Sequence, residues 1–456
     1  MIRPELGSYD VLLVNTPAQD YGLVQGNDQS STIPSLGIVS IASFLKANGI
    51  AVGVLDADSQ GLSPSETVKI LQSCSAPFVG FNAVSENIHI AGWIGSQLPE
   101  KKVVLGGVHA SLIPEQTIAR FPYLYALVHG EGEKPMLEIV RNKQRGEITG
   151  VAYMENGHLI INPRADRVDL NELPRLDRIF FEPNDEVFMM TSRGCPHNCA
   201  FCASPVLYSR RIKFEKMERI ICSMLIDYQH GYSNFHFLDD QFLITEERAR
   251  LFVEGLKEAG LYGKIHWRGM ARADVVVRMS DEILFQLKES GGTKIAMGIE
   301  SGCSRIIELV HKRTTNGMVK TAVEHLSNAG FEVKGFFILG FPTETYEEMR
   351  ETRRFIMELG EVGLSYFNIA ILRPYPGTEI YNLLLGQGYN PDEIFYEQVS
   401  PLQEAPNLRY VHGYYNRMNR NVQVSQVPEQ ELRQFIVDTI KEFEGQFIGA
   451  DCPSPY

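Results

Sequence analysis

At 456 residues, 44% of them hydrophobic and 22% charged, the chain has the make-up of a globular protein too long for one ordinary core, so two domains and a tail are expected. Its formal net charge of -13 argues against broad nucleic-acid binding, which needs Lys and Arg gathered on one face. No stretch has the apolar length of a membrane span and the polar N-terminus lacks a secretory signal, so a cytoplasmic protein with no membrane span and no nucleic-acid partner is expected.

From Met1 to about Arg145, short apolar runs alternate with amphipathic segments. The runs are Asp10–Asn15, Ile50–Leu55, Phe78–Asn82, Val103–Gly107 and Ala126–His129, with helical segments at Leu36–Asn48, Ser63–Ser73 and Ile88–Leu98 between them. Five strand-length runs in this order predict an α/β, doubly wound, Rossmann-like domain, whose ligand crevice lies beyond the carboxyl ends of the strands. The turns at those ends read Asn15-Thr16-Pro17, Asn82 to Asn87 with Ser85 inside, Gly106-Gly107-Val108-His109, and Gly130-Glu131-Gly132-Glu133. Glycine pairs let a backbone approach a large ligand. On chemistry alone a mononucleotide, a flavin or another cofactor fits such turns.

Residues 146–185 read as a linker containing a hairpin, Val151 to Asn162, with Asn156-Gly157 at its turn. Within it, Leu173 to Asp177 is polar and Pro-containing.

The stretch Met189 to Pro205 then carries three of the seven cysteines, spaced Cys195-x3-Cys199-x2-Cys202, after an apolar run and before a helix expected at Phe214–Gln229. Such a loop can wrap three thiolates around one metal centre. A four-iron cube held by three cysteines leaves one iron open to bind something else. The alternatives are a disulfide pair or a zinc loop, but zinc wants a fourth ligand, and His197 between the cysteines is badly placed to supply it. Cys74, Cys222, Cys303 and Cys452 show no mutual spacing and read as free thiols of a reducing interior.

From 186 to 385 strand and helix signals alternate six times, with strands at Val187–Thr191, Asn234–Leu238, Ile265–Met270, Lys294–Ile299, Val333–Leu339 and Tyr366–Leu372. Six parallel units predict a partial barrel with its reactive groups at the strand ends. Asp239 and Asp240 lie at the second end, where paired carboxylates suit a helix N-cap or a metal. Arg268 and Arg272 mark the third, Glu300 the fourth, Gly340 the fifth, and Arg373 to Thr378 the sixth.

At Cys195, Cys199, Phe201 and Cys202 the chain resembles the radical S-adenosylmethionine (SAM) enzymes. The resemblance implies a [4Fe-4S] cluster on the three cysteines, SAM chelated at its open iron, and an external electron donor such as flavodoxin or ferredoxin. It implies SAM contacts at Phe201, Asp239, Asp240, Arg272, Glu300 and Gly340. The N-terminal turns, in turn, resemble the cobalamin-binding domain found in front of many such enzymes. This implies cobalamin contacts at Thr16, Pro17, Ser85, Asn87, Gly106, Gly107, His109, Gly130, Glu131 and Gly132. The turn Asn15 to Gly22 offers no histidine, so the resemblance implies cobalamin with neither its own base nor a histidine below the metal. His109 and His89 stand as substitutes, although loop histidines more often hydrogen-bond to backbone or ligand.

Residues 386–456 read as a small, mostly helical region. The basic, aromatic stretch Arg409 to Arg420 suits a substrate or an anionic partner, and a helix at Pro428–Phe447 suits packing against the barrel. The resemblance as a whole implies a class B methyltransferase: a radical formed from SAM takes hydrogen from an unactivated carbon, which then receives the methyl group of methylcobalamin. The alternative within that family is cyclisation, ring contraction or oxidation without methyl transfer. The expected substrate is a small molecule or a peptide or protein side chain, and no catalytic acid or base is assigned.

Overall fold

The computed structural model describes residues 8–17, 34–181, 185–390 and 424–443, and the stretch Arg409 to Arg420 lies outside the described residues. Contacts divide the chain into two compact units, the second of which begins at Asp185.

In the first unit the apolar runs form β1 (Val11–Asn15), β2 (Val52–Asp56), β3 (Phe78–Asn82), β4 (Lys102–Gly106) and β5 (Ala126–Val128). They are parallel, in the order β2-β1-β3-β4-β5. The strand order therefore reverses between β1 and β3, the switch point beside which ligands sit in sheets of this kind. The expected hairpin is present as β6 (Val151–Glu155) and β7 (His158–Ile161), with Asn156 and Gly157 at φ 49° and 79° as a primed turn requires. It does not stand apart as a connector. β6 pairs antiparallel with β5 and makes a seven-stranded sheet, covering an edge that would otherwise be open. The polar stretch ending at Asp177 also docks: its N–H donates to Ser43 Oγ at 2.9 Å, its carboxylate pairs with Lys46, and Phe180 enters the core.

The second unit contains β8 (Glu186–Met189), β9 (Ser192–Arg193), β10 (Lys213–Phe214), β11 (Asn234–Phe237), β12 (His266–Met270), β13 (Gly292–Glu300), β14 (Glu332–Leu339) and β15 (Leu364–Ile371). Six of these form one parallel sheet in sequential order, β8-β11-β12-β13-β14-β15, which is the partial barrel. The short pair β9 and β10 was not foreseen. It delays the helix expected from Phe214, which starts at Met217.

Along β14 buried and half-buried residues alternate strictly. Ile295, Met297, Ile299, Val333, Phe337 and Leu339 face the surrounding helices in the main core, with Trp267, Phe242 and Phe252. The opposite face lines the lumen. Register sets Phe188, His236, Arg268, Lys294 and Glu332 in one row of it, Met270, Ala296, Lys334 and Tyr366 in the next, and Gly298, Phe336 and Asn368 beyond. The last helix, Glu429–Phe443, buries Leu432, Phe435, Ile436 and Phe443 in the main core. No helix among the described residues is long and apolar enough to cross a membrane.

Candidate functional site

The cysteine loop leaves the carboxyl end of β8 through a tight turn. Gly194 has φ 97°, and a Cβ there would lie 2.3 Å from the carbonyl oxygen of Arg211, so only glycine fits before Cys195. Cys195, Cys199 and Cys202 are free thiols, each partly exposed. Gln241 Nε2 donates to Cys195 Sγ at 3.2 Å. Burial pushes the Cys202 thiol up to about 12, and Asp240 and the two other cysteines push the same way. Burial, Asp240 and Cys199 likewise raise Cys195. Three sulfurs that repel one another as thiolates suit a positively charged metal centre, which supplies the missing counter-charge. Among the described residues no group of His, Cys, Asp or Glu is placed to hold a single ion. The donor set fits a larger, all-thiolate centre of the iron-sulfur kind.

The strand ends around the loop form one polar network. Asp239 is wholly buried and accepts from Thr191 N–H at 3.2 Å, Thr191 Oγ1 at 3.0 Å and Ser192 Oγ. Burial still lifts its carboxyl to about 6. Its oxygens thus fasten the start of the cysteine loop. Asp240 is the exposed member of the pair. Ser204 Oγ donates to it at 2.6 Å, and its crowded surroundings raise it as well.

Arg272 is buried, with Nε on Asp274 Oδ1 at 2.9 Å and a terminal nitrogen on the Lys312 carbonyl at 2.8 Å. Arg268 sits lower in the lumen on Glu186 at 2.6 Å, so the two arginines do not meet at one site. Glu300 has φ 72°, a conformation rare outside glycine, at a break in the β13–β14 register. Its carboxylate takes Lys312 Nζ at 2.7 Å. His197 feels this network: burial first, then Arg272 and Lys312, hold it down to about 4 against the pull of Asp274. Gly340, at φ 88°, gives its N–H to Glu344 Oε2 at 2.6 Å, and Phe341 N–H joins it at 3.1 Å. Phe201 packs edge-on against Phe341, with centroids 5.9 Å apart.

In the first unit the switch-point turns are tied together. Asn87 Nδ2 donates to the Thr16 carbonyl at 2.9 Å, and Ser85 Oγ meets His109 Nδ1 at 2.9 Å. Thr16, Ser85, Asn87 and His109 are all buried, as is Pro17. Burial takes His109 down to about 3, so the imidazole is neutral. Gly107 has φ 101°, and a Cβ there would meet Asn82 Oδ1 at 2.4 Å, whereas Gly106 beside it is not crowded. Gly130 N–H donates to Ser111 Oγ at 2.9 Å, which joins the β4 and β5 turns. Glu131 instead turns to Val168 N–H at 2.7 Å, and Gly132 lies against Ile41. Thr16 Oγ1, His89 Nε2 and His129 Nε2 are buried without a hydrogen-bond partner. Thr16 and His129 directly follow β1 and β5, so a ligand carrying amides or phosphate beyond the strands would satisfy groups the fold leaves unpaired. The residues present fit cobalamin.

Lys312, Asp274, Gln241, Glu344 and His129 were not foreseen as members of either site. Gln241 adjoins the Asp239-Asp240 pair, and that adjacency was the one available signal.

Comparison with known proteins agrees with both halves. The model of the Radical SAM superfamily matches residues 189–356, and that of the B12 binding domain matches residues 27–140. An uncharacterized methyltransferase of Pyrococcus horikoshii, PH0819, is 30% identical over 404 residues, covering 83% of this chain and 84% of that protein. The anaerobic magnesium-protoporphyrin IX monomethyl ester cyclase of Rubrivivax gelatinosus is 24% identical, covering 92% of this chain and 80% of the relative. Among solved structures, the radical SAM methyltransferase TsrM from Kitasatospora setae, with cobalamin and a [4Fe-4S] cluster bound, shares the fold. Its TM-score is 0.68 at 17% identity, over 84% of this chain and 78% of that one. The cofactors of this chain are accordingly a [4Fe-4S] cluster, SAM and cobalamin. The chain belongs to the cobalamin-binding radical SAM enzyme family.

Proposed function

We propose that this chain is a C-methyltransferase that places a methyl group on an unactivated carbon of its substrate. The observation that carries this reading is the pairing, in one chain, of the cysteine loop with the cobalamin-type switch point, in a sequence 30% identical to a methyltransferase. When bound, the cluster with SAM supplies a hydrogen-abstracting radical, and cobalamin supplies a transferable methyl group.

The protein's part is to hold and orient. Cys195, Cys199 and Cys202 hold the cluster, with Gln241 steadying the first. We assign SAM to the strand ends nearest that loop: Asp240 for its amino group, Arg272 and Glu300 for its carboxylate and ribose, and Phe201 and Gly340 for its adenine. Asp239 acts on this site through Thr191 and Ser192. Thr16, Pro17, Ser85, Asn87, Gly106, Gly107, His109 and Gly130 to Gly132 hold cobalamin. His109, engaged by Ser85 and buried, serves this pocket as a hydrogen-bonding group. An external one-electron donor such as flavodoxin or ferredoxin, and the reducing cytoplasm, complete the reading.

The test supplies reduced, anaerobically reconstituted enzyme with SAM bearing a deuterated methyl group and an extract of small molecules from the source cells. A product that has gained one deuterated methyl in place of hydrogen supports the reading. The cyclase relative favours a second reading, cyclisation without methyl transfer. A product that has only lost hydrogen or rearranged would establish that one instead.

A further inference from the structure

The turn after β11 carries one side chain that neither the core nor the Asp239 network explains. Asp239 accepts from Thr191 and Ser192, and Phe242 stacks on Phe237 in the main core, with centroids 3.9 Å apart and planes 4° from parallel. The backbone is pinned on both sides. Leu238 N–H donates to the Met189 carbonyl at 2.7 Å, and the Phe242 and Leu243 N–H groups donate to the Met270 carbonyl at 2.9 and 3.2 Å. Gln241 stands between these anchors and is only 4% exposed, so its amide is delivered from a rigid turn against the cysteine loop. Among the described residues it is the one side chain that donates to any of the three cysteine sulfurs.

The orientation of that amide carries the argument. Nε2 lies 3.2 Å from Cys195 Sγ, while Oε1 is buried without a hydrogen-bond partner. A glutamine that only filled space would be no better than an apolar side chain of its size, because a buried carbonyl oxygen left unpaired is costly. Turning the amide over would set that oxygen against the sulfur, where two electron-rich atoms repel. The unpaired oxygen is therefore the counterpart of keeping an N–H on Cys195. The sulfur's surroundings give that N–H its use. Burial first, then Asp240 and Cys199, disfavour negative charge on Cys195, and against them stand the His197 N–H and the Gln241 amide.

We infer that Gln241 sets the reduction potential of the cluster, its N–H bond to the Cys195 thiolate stabilising the reduced, more negative centre and so raising the potential towards that of the external donor. The donor is oxidised by one electron, the cluster gains it, and no proton moves. Asp240, the preceding residue, acts in the opposite sense, because its carboxylate opposes added negative charge. Gln241 is thus a positioning residue that acts through a ligand of the cluster. The inference rests on the assignment of the cluster to the three cysteines, and methyl transfer does not enter it.

Reductive titration of the anaerobically reconstituted holoenzyme without SAM, followed by EPR of the reduced cluster, tests this without turnover. Gln241→Met fills the space with no N–H and is expected to lower the reduction equilibrium constant about tenfold, a negative shift of about 59 mV for one electron. Gln241→Glu, which is isosteric and only accepts when ionised, shifts further in the same direction. Asp240→Asn shifts the potential upward, and Arg350→Gln, on an exposed helix, leaves it unchanged. Wild-type protein made with glutamine labelled with nitrogen-15 in its side-chain amide should show coupling of that nucleus to the reduced cluster in pulsed EPR, and Gln241→Met should lack it. An unchanged or raised potential in both Gln241 variants at wild-type iron content, or no such coupling in wild type, overturns the inference. Loss of iron from both variants also overturns it and leaves Gln241 a structural role. Wild-type iron content in Cys195→Ala would instead overturn the cluster assignment beneath it.

Discussion

Lys312 Nζ donates to Glu300 Oε1 at 2.7 Å, and each side chain is only 8% exposed. The lysine follows the helix Ser304–Leu309, so its charge returns to the end of the strand that carries the glutamate. Its carbonyl also accepts from Arg272. One residue thus joins the ends of β12 and β13, and the left-handed backbone of Glu300 is held by what its side chain grips.

Removing one partner of a buried pair leaves the other charge uncompensated, at a cost of about 3–5 kcal/mol. Lys312→Ala is expected to destabilise the protein by that order in urea unfolding and to weaken SAM binding. The double variant Glu300→Gln/Lys312→Met recovers most of the stability and none of the SAM affinity.

Cys195→Ala, Cys199→Ala and Cys202→Ala should each lose the iron of the cluster and reduce SAM cleavage to background, since a cube with two protein ligands is not held. Cys222→Ala, at an exposed thiol on the helix Met217–Gln229, should change neither. Iron content and 5'-deoxyadenosine yield check both.

Gly107→Ala forces a Cβ to 2.4–2.7 Å from Asn82 Oδ1 and the Ala83 backbone at φ 101°. Left-handed strain alone costs roughly 1–2 kcal/mol, and the contacts add to it. Cobalamin retained per chain after gel filtration should fall several-fold, whereas Gly106→Ala, with no contact closer than 3.7 Å, should retain it.

Glu344 is buried, and burial raises its carboxyl from 4.5 to about 7 even though the N–H groups of Gly340 and Phe341 donate to it. A carboxyl raised by folding favours the folded state fully below its unfolded value, and that contribution is lost as pH climbs through the folded one. Stability should therefore decline between pH 4.5 and about 7, by an amount on the order of 3 kcal/mol. Glu344→Gln keeps an acceptor for both amides and should flatten this decline, so that the variant gains on wild type as pH rises. A stability difference independent of pH would contradict the assignment.

The strands were legible because burial on one or both faces writes itself as short apolar runs; Phe78–Asn82 is a strand over that span. The cysteine loop was legible because its ligands are close in sequence. What could not be read depends on chain returns. Asp239 serves Thr191 across 48 positions, and Glu300 finds Lys312 only after an intervening helix. The hairpin was visible from Asn156-Gly157, yet its place on the β5 edge follows from β5 being three residues long and needing cover. The pair β9 and β10 is too short to leave a pattern.

The most direct test is the product balance of one reduced, anaerobic turnover series with the enzyme's substrate. The account predicts that S-adenosylhomocysteine and 5'-deoxyadenosine form in equal amounts, one of each per methylated product, because SAM is used once as methyl source and once as radical source. 5'-Deoxyadenosine with no S-adenosylhomocysteine beside a converted substrate would contradict methyl transfer.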